Sequence, residues 1–157
     1  MKYLVIYYSR TGTTANIAEI LVEKMDASIE KLIESRDRSG VLGYLKSGWE
    51  ALREKSPQIE GTVNDPAQFD MIIIGTPVWA GNMAPAVRTY IKKYNREIKN
   101  YALFCTYKGS GAEKTFSKIE KLFSEKAVAK MDIIDKEINK GSYKHKIEEF
   151  IKKIADN

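Results

Sequence analysis

From Lys2 to Tyr8 the chain runs through apolar and aromatic residues without polar alternation. A strand with one wet face alternates, whereas a strand covered on both faces does not, so this run predicts a buried first strand in a parallel sheet. From Thr13 onward the spacing changes. Ile17, Ala18, Leu21, Val22 and Met25 recur at helical intervals, which places a helix directly after a tight turn. Ser28 to Ile33 predicts a second strand, and Phe69 to Ile74 repeats the doubly buried signature. That third strand is expected to stop at Gly75-Thr76-Pro77, because proline cannot donate to a central ladder. Pro85 suits the first turn of a helix reaching Tyr94.

Tyr101 to Thr106 predicts a fourth strand, closed by Gly109-Ser110-Gly111. Lys114 to Phe123 then carries Phe116, Ile119, Leu122 and Phe123 on one helical stripe, and Val128 to Ile134 and Tyr143 to Ile154 supply the last strand and helix. Strands and helices alternating at this spacing predict right-handed βαβ units and a doubly wound α/β sandwich. Between the second and third strands, Glu34 to Pro66 is longer than a connection needs. Val41, Leu42, Leu45, Trp49 and Leu52 within it fit one amphipathic helix.

A chain of 157 residues fits one domain with helices on both faces of its sheet. With 43% hydrophobic and 30% charged residues, the composition is that of a globular protein. No segment approaches a membrane span, and the first apolar run is too short for a signal-peptide core; a cytoplasmic protein is expected. One cysteine, Cys105, and one histidine, His145, exclude an internal disulfide and the usual zinc sets. Cys105 lies inside a predicted strand and reads as an inert core thiol, and His145 falls on the last helix as a surface residue.

The formal net charge is +5, a balance that raises nucleic acid or an acidic partner as ligands. Most of the lysines argue against nucleic acid. Lys92, Lys93, Lys118, Lys121, Lys144, Lys146, Lys152 and Lys153 recur at helical spacing beside Glu113, Glu120, Glu148 and Glu149, the pattern of solvated helix faces.

Chemistry is expected outside the carboxyl ends of the strands, where open α/β sheets bind their ligands. Three loops leave such ends. Ser9-Arg10-Thr11-Gly12-Thr13-Thr14 sets hydroxyls and free backbone N–H groups at the positive end of a helix, a combination suited to a phosphate. The same hydroxyls also suit simple helix capping. A Walker loop is excluded, since no Gly-Lys-Ser or Gly-Lys-Thr follows, and the Gly-x-Gly-x-x-Gly turn for a pyrophosphate is missing after every strand. A phosphoacceptor domain of similar strand order would need carboxylates at strand ends, but these read Tyr7-Tyr8-Ser9 and Gly75-Thr76-Pro77.

Ser9, Thr11, Gly12 and Thr14 match, position by position, the Ser/Thr-x-Thr-Gly-x-Thr phosphate loop of the flavodoxins. Pro77-Val78-Trp79-Ala80-Gly81-Asn82 resembles that family's first flavin-flanking loop, and Thr106-Tyr107-Lys108-Gly109-Ser110-Gly111 its second. The resemblance covers essentially the whole chain. It implies a five-stranded parallel sheet in order 2-1-3-4-5 and one non-covalently bound FMN. On this reading Trp79 stacks on the flavin, and Tyr107 covers its other face or belongs to the core. Backbone groups of Ala80 to Asn82 and Gly109 to Gly111 would meet the ring edge. The implied roles are an electron carrier serving redox partner proteins, acidic ones given the +5 balance, or an FMN enzyme taking electrons from NAD(P)H to a quinone. Electron-carrying flavodoxins are typically acidic, and this chain departs from them in its net charge and in Lys108.

Overall fold

The computed structural model describes residues 1–35 and 57–157, so the amphipathic helix expected around Val41 to Leu52 lies outside the described residues. The strands are β1 (Tyr3–Tyr7), β2 (Ser28–Lys31), β3 (Met71–Pro77), β4 (Tyr101–Tyr107) and β5 (Lys130–Ile134). All pairings are parallel, in the order β2-β1-β3-β4-β5. The helices are α1 (Thr13–Met25), α2 (Pro85–Tyr94), α3 (Ala112–Glu120), α4 (Asp135–Lys140) and α5 (Lys144–Ala155). Within the described residues, the predicted strands and helices are found with shifted ends. Helix α4 and a short 3-10 turn at Pro66–Gln68 were not expected.

The unbroken apolar runs have a simple cause: successive side chains feed two different cores. Leu4, Ile6, Ile72, Ile74 and Leu103 face one side, where Val87 and Ile91 of α2 and Phe116 and Ile119 of α3 cover them. Val5, Ile73, Ala102 and Phe104 face the other, against Ile17 and Leu21 of α1 and Ile147 and Phe150 of α5. Ile73 has no exposed surface; truncating such a residue to alanine costs about 2–5 kcal/mol. Gly75 is small for a packing reason, since a Cβ there would run into the Phe104 ring.

Strand β3 does not stop before Pro77, which corrects the sequence reading. Alternate residues of a parallel strand direct their N–H groups to opposite neighbours. Val78 donates to Thr106 of β4 at 2.9 Å, so position 77 faces β1. On that side the ladder is closing, with Tyr8 N–H on the Gly75 carbonyl at 3.2 Å. Proline therefore ends one ladder while the other continues past it.

Two residues assigned to solvated helix faces are structural instead. Glu120 is buried and accepts the Ala127 N–H at 3.3 Å, with Lys126 and Lys130 within 3.6 Å. Lys146 is half-buried and donates to the Asp132 carbonyl at 2.9 Å and to Glu137 at 3.0 Å. Cys105 is fully buried, and burial pushes its thiol far above the ordinary range, so little thiolate forms. His145 is exposed on α5.

Candidate functional site

The loops after β1, β3 and β4 converge on one slot of about 280 Å³ that opens to solvent. Its lining contains Arg10, Thr11, Thr13 and Thr14 from the first loop and Pro77, Val78 and Trp79 from the second. The end of β4 adds Thr106, Tyr107, Lys108, Gly109 and Ser110. Ser9, Gly12, Ala80, Gly81, Asn82 and Gly111 stand outside the lining and shape the loops that carry it.

At the start of α1, Gly12 takes φ 96°, a left-handed conformation that glycine adopts without penalty. Its N–H donates to Ser9 Oγ at 3.2 Å, which closes the turn. Among the described residues, no side chain caps α1. Its first N–H groups and the positive end of its dipole are thus left to a ligand or to water, so helix capping does not account for the loop's hydroxyls. Thr14 is nearly buried, and its Oγ1 lies 2.8 Å from Thr106 Oγ1.

The second loop is a two-residue hairpin. Trp79 and Asn82 exchange both backbone hydrogen bonds, at 2.9 and 3.0 Å, around Ala80 at φ 51° and Gly81 at φ 68°. Left-handed alanine is disfavoured by about 1–2 kcal/mol. Asn82 was expected to offer its backbone to a ring edge; both of those groups are engaged by Trp79. The Trp79 indole meets the Tyr8 ring edge-on at 5.6 Å between centroids, and the Arg10 guanidinium lies 5.9 Å from the indole centroid. The second and third loops touch through glycine: a Cβ on Gly111 would stand 2.9 Å from Gly81 Cα.

Tyr107 is both lining and anchored. Its phenol donates to Asp132 Oδ2 at 2.7 Å; burial, then this hydrogen bond and the carboxylate's charge, push the phenol well above its ordinary value. Lys146 approaches the same Asp132 oxygen at 3.8 Å and Glu137 at 2.9 Å. Burial raises the Glu137 carboxyl, but the Lys146 hydrogen bond and the Ile134 N–H outweigh it and hold the group below its ordinary value. Asp135, at the first position of α4, also lines the slot. Sequence reasoning missed it, although it follows β5 directly and the rule about carboxyl ends of strands covers that position as well.

A family model described as Flavodoxin matches residues 2–154. Among solved structures, the chain is similar to a flavoprotein in complex with FMN from Lactobacillus acidophilus NCFM, at 24% identity and TM-score 0.73, covering 90% of this chain and 98% of that one. The apo form of the flavoprotein from the same bacterium matches at 25% identity and TM-score 0.67, covering 88% and 95%. An NADH:FMN oxidoreductase in its apo form matches at 12% identity and TM-score 0.55, covering 99% and 90%.

Proposed function

Because the chain belongs to the flavodoxin family, we propose that it holds one FMN in this slot and transfers electrons between protein partners. The observation that carries the reading is that an uncapped helix start and the aromatic side chains of Trp79 and Tyr107 line one and the same slot. Thr11, Thr13, Thr14 and the N–H groups of α1 would hold the phosphate, as a helix start does for an anion. A single such loop suits FMN rather than FAD, since a pyrophosphate turn is missing from the sequence. Trp79 and Tyr107 would exclude water from the flavin faces and supply apolar contact area. The volume of about 280 Å³ falls just below the range of small-molecule sites, about 300–1,000 Å³, which suits a ligand with one edge open to a partner. When bound, FMN supplies a ring that takes up and returns electrons singly or in pairs.

A second reading, an FMN-dependent NAD(P)H:quinone-type oxidoreductase, is favoured by Arg10 and Lys108 on the slot wall, which would attract an anionic dinucleotide. Absorbance of the reconstituted protein, with the released cofactor identified by mass, tests FMN binding; stoichiometric FAD, or no flavin, overturns it. Rapid NAD(P)H oxidation by the isolated holoprotein selects the enzyme, and oxidation only through an added reductase selects the carrier. None of the described helices is long and apolar enough to cross a membrane.

A further inference from the structure

A buried cation stands behind the Trp79 hairpin. Arg88, on α2, is 4% exposed and Asn82 is 1% exposed. Arg88 Nη2 donates to Asn82 Oδ1 at 2.6 Å, and that oxygen also accepts the Met83 N–H at 3.1 Å. Both backbone groups of Asn82 are bonded to Trp79. Two hydrogen-bonded links therefore connect the guanidinium to the backbone that carries the indole.

The hairpin needs a restraint of this kind. Ala80 at φ 51° is a non-glycine residue in a conformation that persists only where its surroundings over-determine it. Burying a guanidinium is costly. It is carried by a helix whose Ala86, Val87 and Ile91 are buried in the apolar core, so the charge is offset by the polar groups it bonds, Asn82 among them. An arginine there makes sense for what it grips: its planar fork is charged at all working pH values and directional.

We propose that Arg88 is a positioning residue for the cofactor site. By holding Asn82 it fixes the Trp79 hairpin, and with it the orientation in which the indole meets the flavin. The proposal rests on the FMN reading for its functional consequence but not for its structural one, and the two are separable by experiment.

The protein has two tryptophans, so a Trp49→Phe background makes Trp79 the sole emitter. In the apoprotein, Arg88→Met should make Trp79 emission more accessible to acrylamide, and Arg88→Lys should restore part of the protection. With FMN added, Arg88→Met should weaken binding about 10-fold and leave the bound flavin brighter. In a Trp79→Ala background the same substitution should have no further effect on the FMN dissociation constant, because coupled residues are non-additive. Asn82→Ala removes the other end of the bond and should reproduce these results, including where Arg88→Met fails to fold. A folded Arg88→Met or Asn82→Ala variant with parental Trp79 quenching and parental FMN affinity overturns the proposal. So does an affinity loss of equal size with and without Trp79. If the parent binds no FMN, the cofactor reading fails, and the apoprotein quenching still decides the positioning role.

Discussion

The hydroxyls of Thr14 and Thr106 lie 2.8 Å apart and join the start of α1 to the end of β4. Each hydroxyl has one proton and two acceptor sites. When Thr106 donates to Thr14, the Thr14 proton is left to point at an anion. Thr14→Ala should therefore weaken FMN binding by about 10- to 100-fold, the worth of a hydrogen bond to a charged group. Thr106→Val leaves that bond available but unoriented, and the loss should be about 2- to 10-fold. Fluorescence titration of both variants gives the ranking; unchanged affinity in Thr14→Ala removes this residue from the phosphate site.

Gly111 carries two constraints at once, φ 106° and a Cβ position 2.9 Å from Gly81 Cα and 3.3 Å from Gly81 N. Backbone cannot yield as a side-chain tip does. Gly111→Ala should cost at least the left-handed penalty of about 1–2 kcal/mol and lower the melting temperature by about 2–8 °C. It should also part the second and third loops and weaken FMN binding. A melt and a titration on the same sample check both; Gly61→Ala, outside the slot lining and where a Cβ meets nothing within 4 Å, is the control expected to be mild.

Tyr90 is fully buried, and its hydroxyl has no hydrogen-bond partner among the described residues. Leaving such a group unsatisfied costs about 1–3 kcal/mol. Tyr90→Phe should therefore be neutral or stabilising by up to about that amount, with FMN affinity unchanged. Burial raises the Tyr90 and Tyr101 phenols above their ordinary value of 10.0, with nearby Glu30 and Glu120 respectively adding to it, and Tyr107 is raised as well. Above pH 10 the unfolded chain has lost phenolic protons that the folded one keeps, so stability falls as pH rises. This contribution is fully present below pH 10 and lost above it. Thermal melts from pH 8 to 11.5 should show the decline, and Tyr90→Phe should make it shallower.

Lys108 and Asp135 place opposite charges on the wall of one slot. Reduced flavin tends to carry negative charge, so Lys108→Glu should lower the midpoint potential of the bound cofactor and Asp135→Asn should raise it. A difference of about 1.4 kcal/mol corresponds to about 59 mV for one electron. Lys108 is exposed and Asp135 half-buried, so added salt should shrink the first shift more than the second. Potentiometric titration at low and high ionic strength tests the pair, and equal salt sensitivity would count against the placement of Asp135.

What was legible in the sequence was whatever is written locally. The helix start at Thr13, the Pro85 start of α2 and the doubly buried strands follow from spacing and residue type, and the structure has them at those positions. The loops after β1, β3 and β4 were legible because each follows such a strand. What was missed depends on distant partners. Whether Pro77 breaks a ladder depends on where β1 ends. Glu120 and Lys146 carry the same helical spacing as their solvated neighbours, and only the fold brings Ala127 or Asp132 against them. Asn82 looked like part of a binding loop, and its engagement by Trp79 and Arg88 is visible only in three dimensions.

The sheet order has a consequence for how the molecule assembles. Strand β1 is flanked by β2 and β3, with Tyr3 beside Met71, so its second neighbour is not synthesised until half the chain has been made. The slot needs the end of β4 as well, and no earlier partial structure contains it. Closing such non-local contacts costs loop entropy before any contact rewards it. On the proposed reading FMN would recognise only a state in which β4 has already joined the sheet, and a ligand that binds that state alone stabilises it by mass action. Its kinetic signature is slower unfolding with the refolding rate unaltered, making the cofactor a lock on the finished molecule rather than a template for building it.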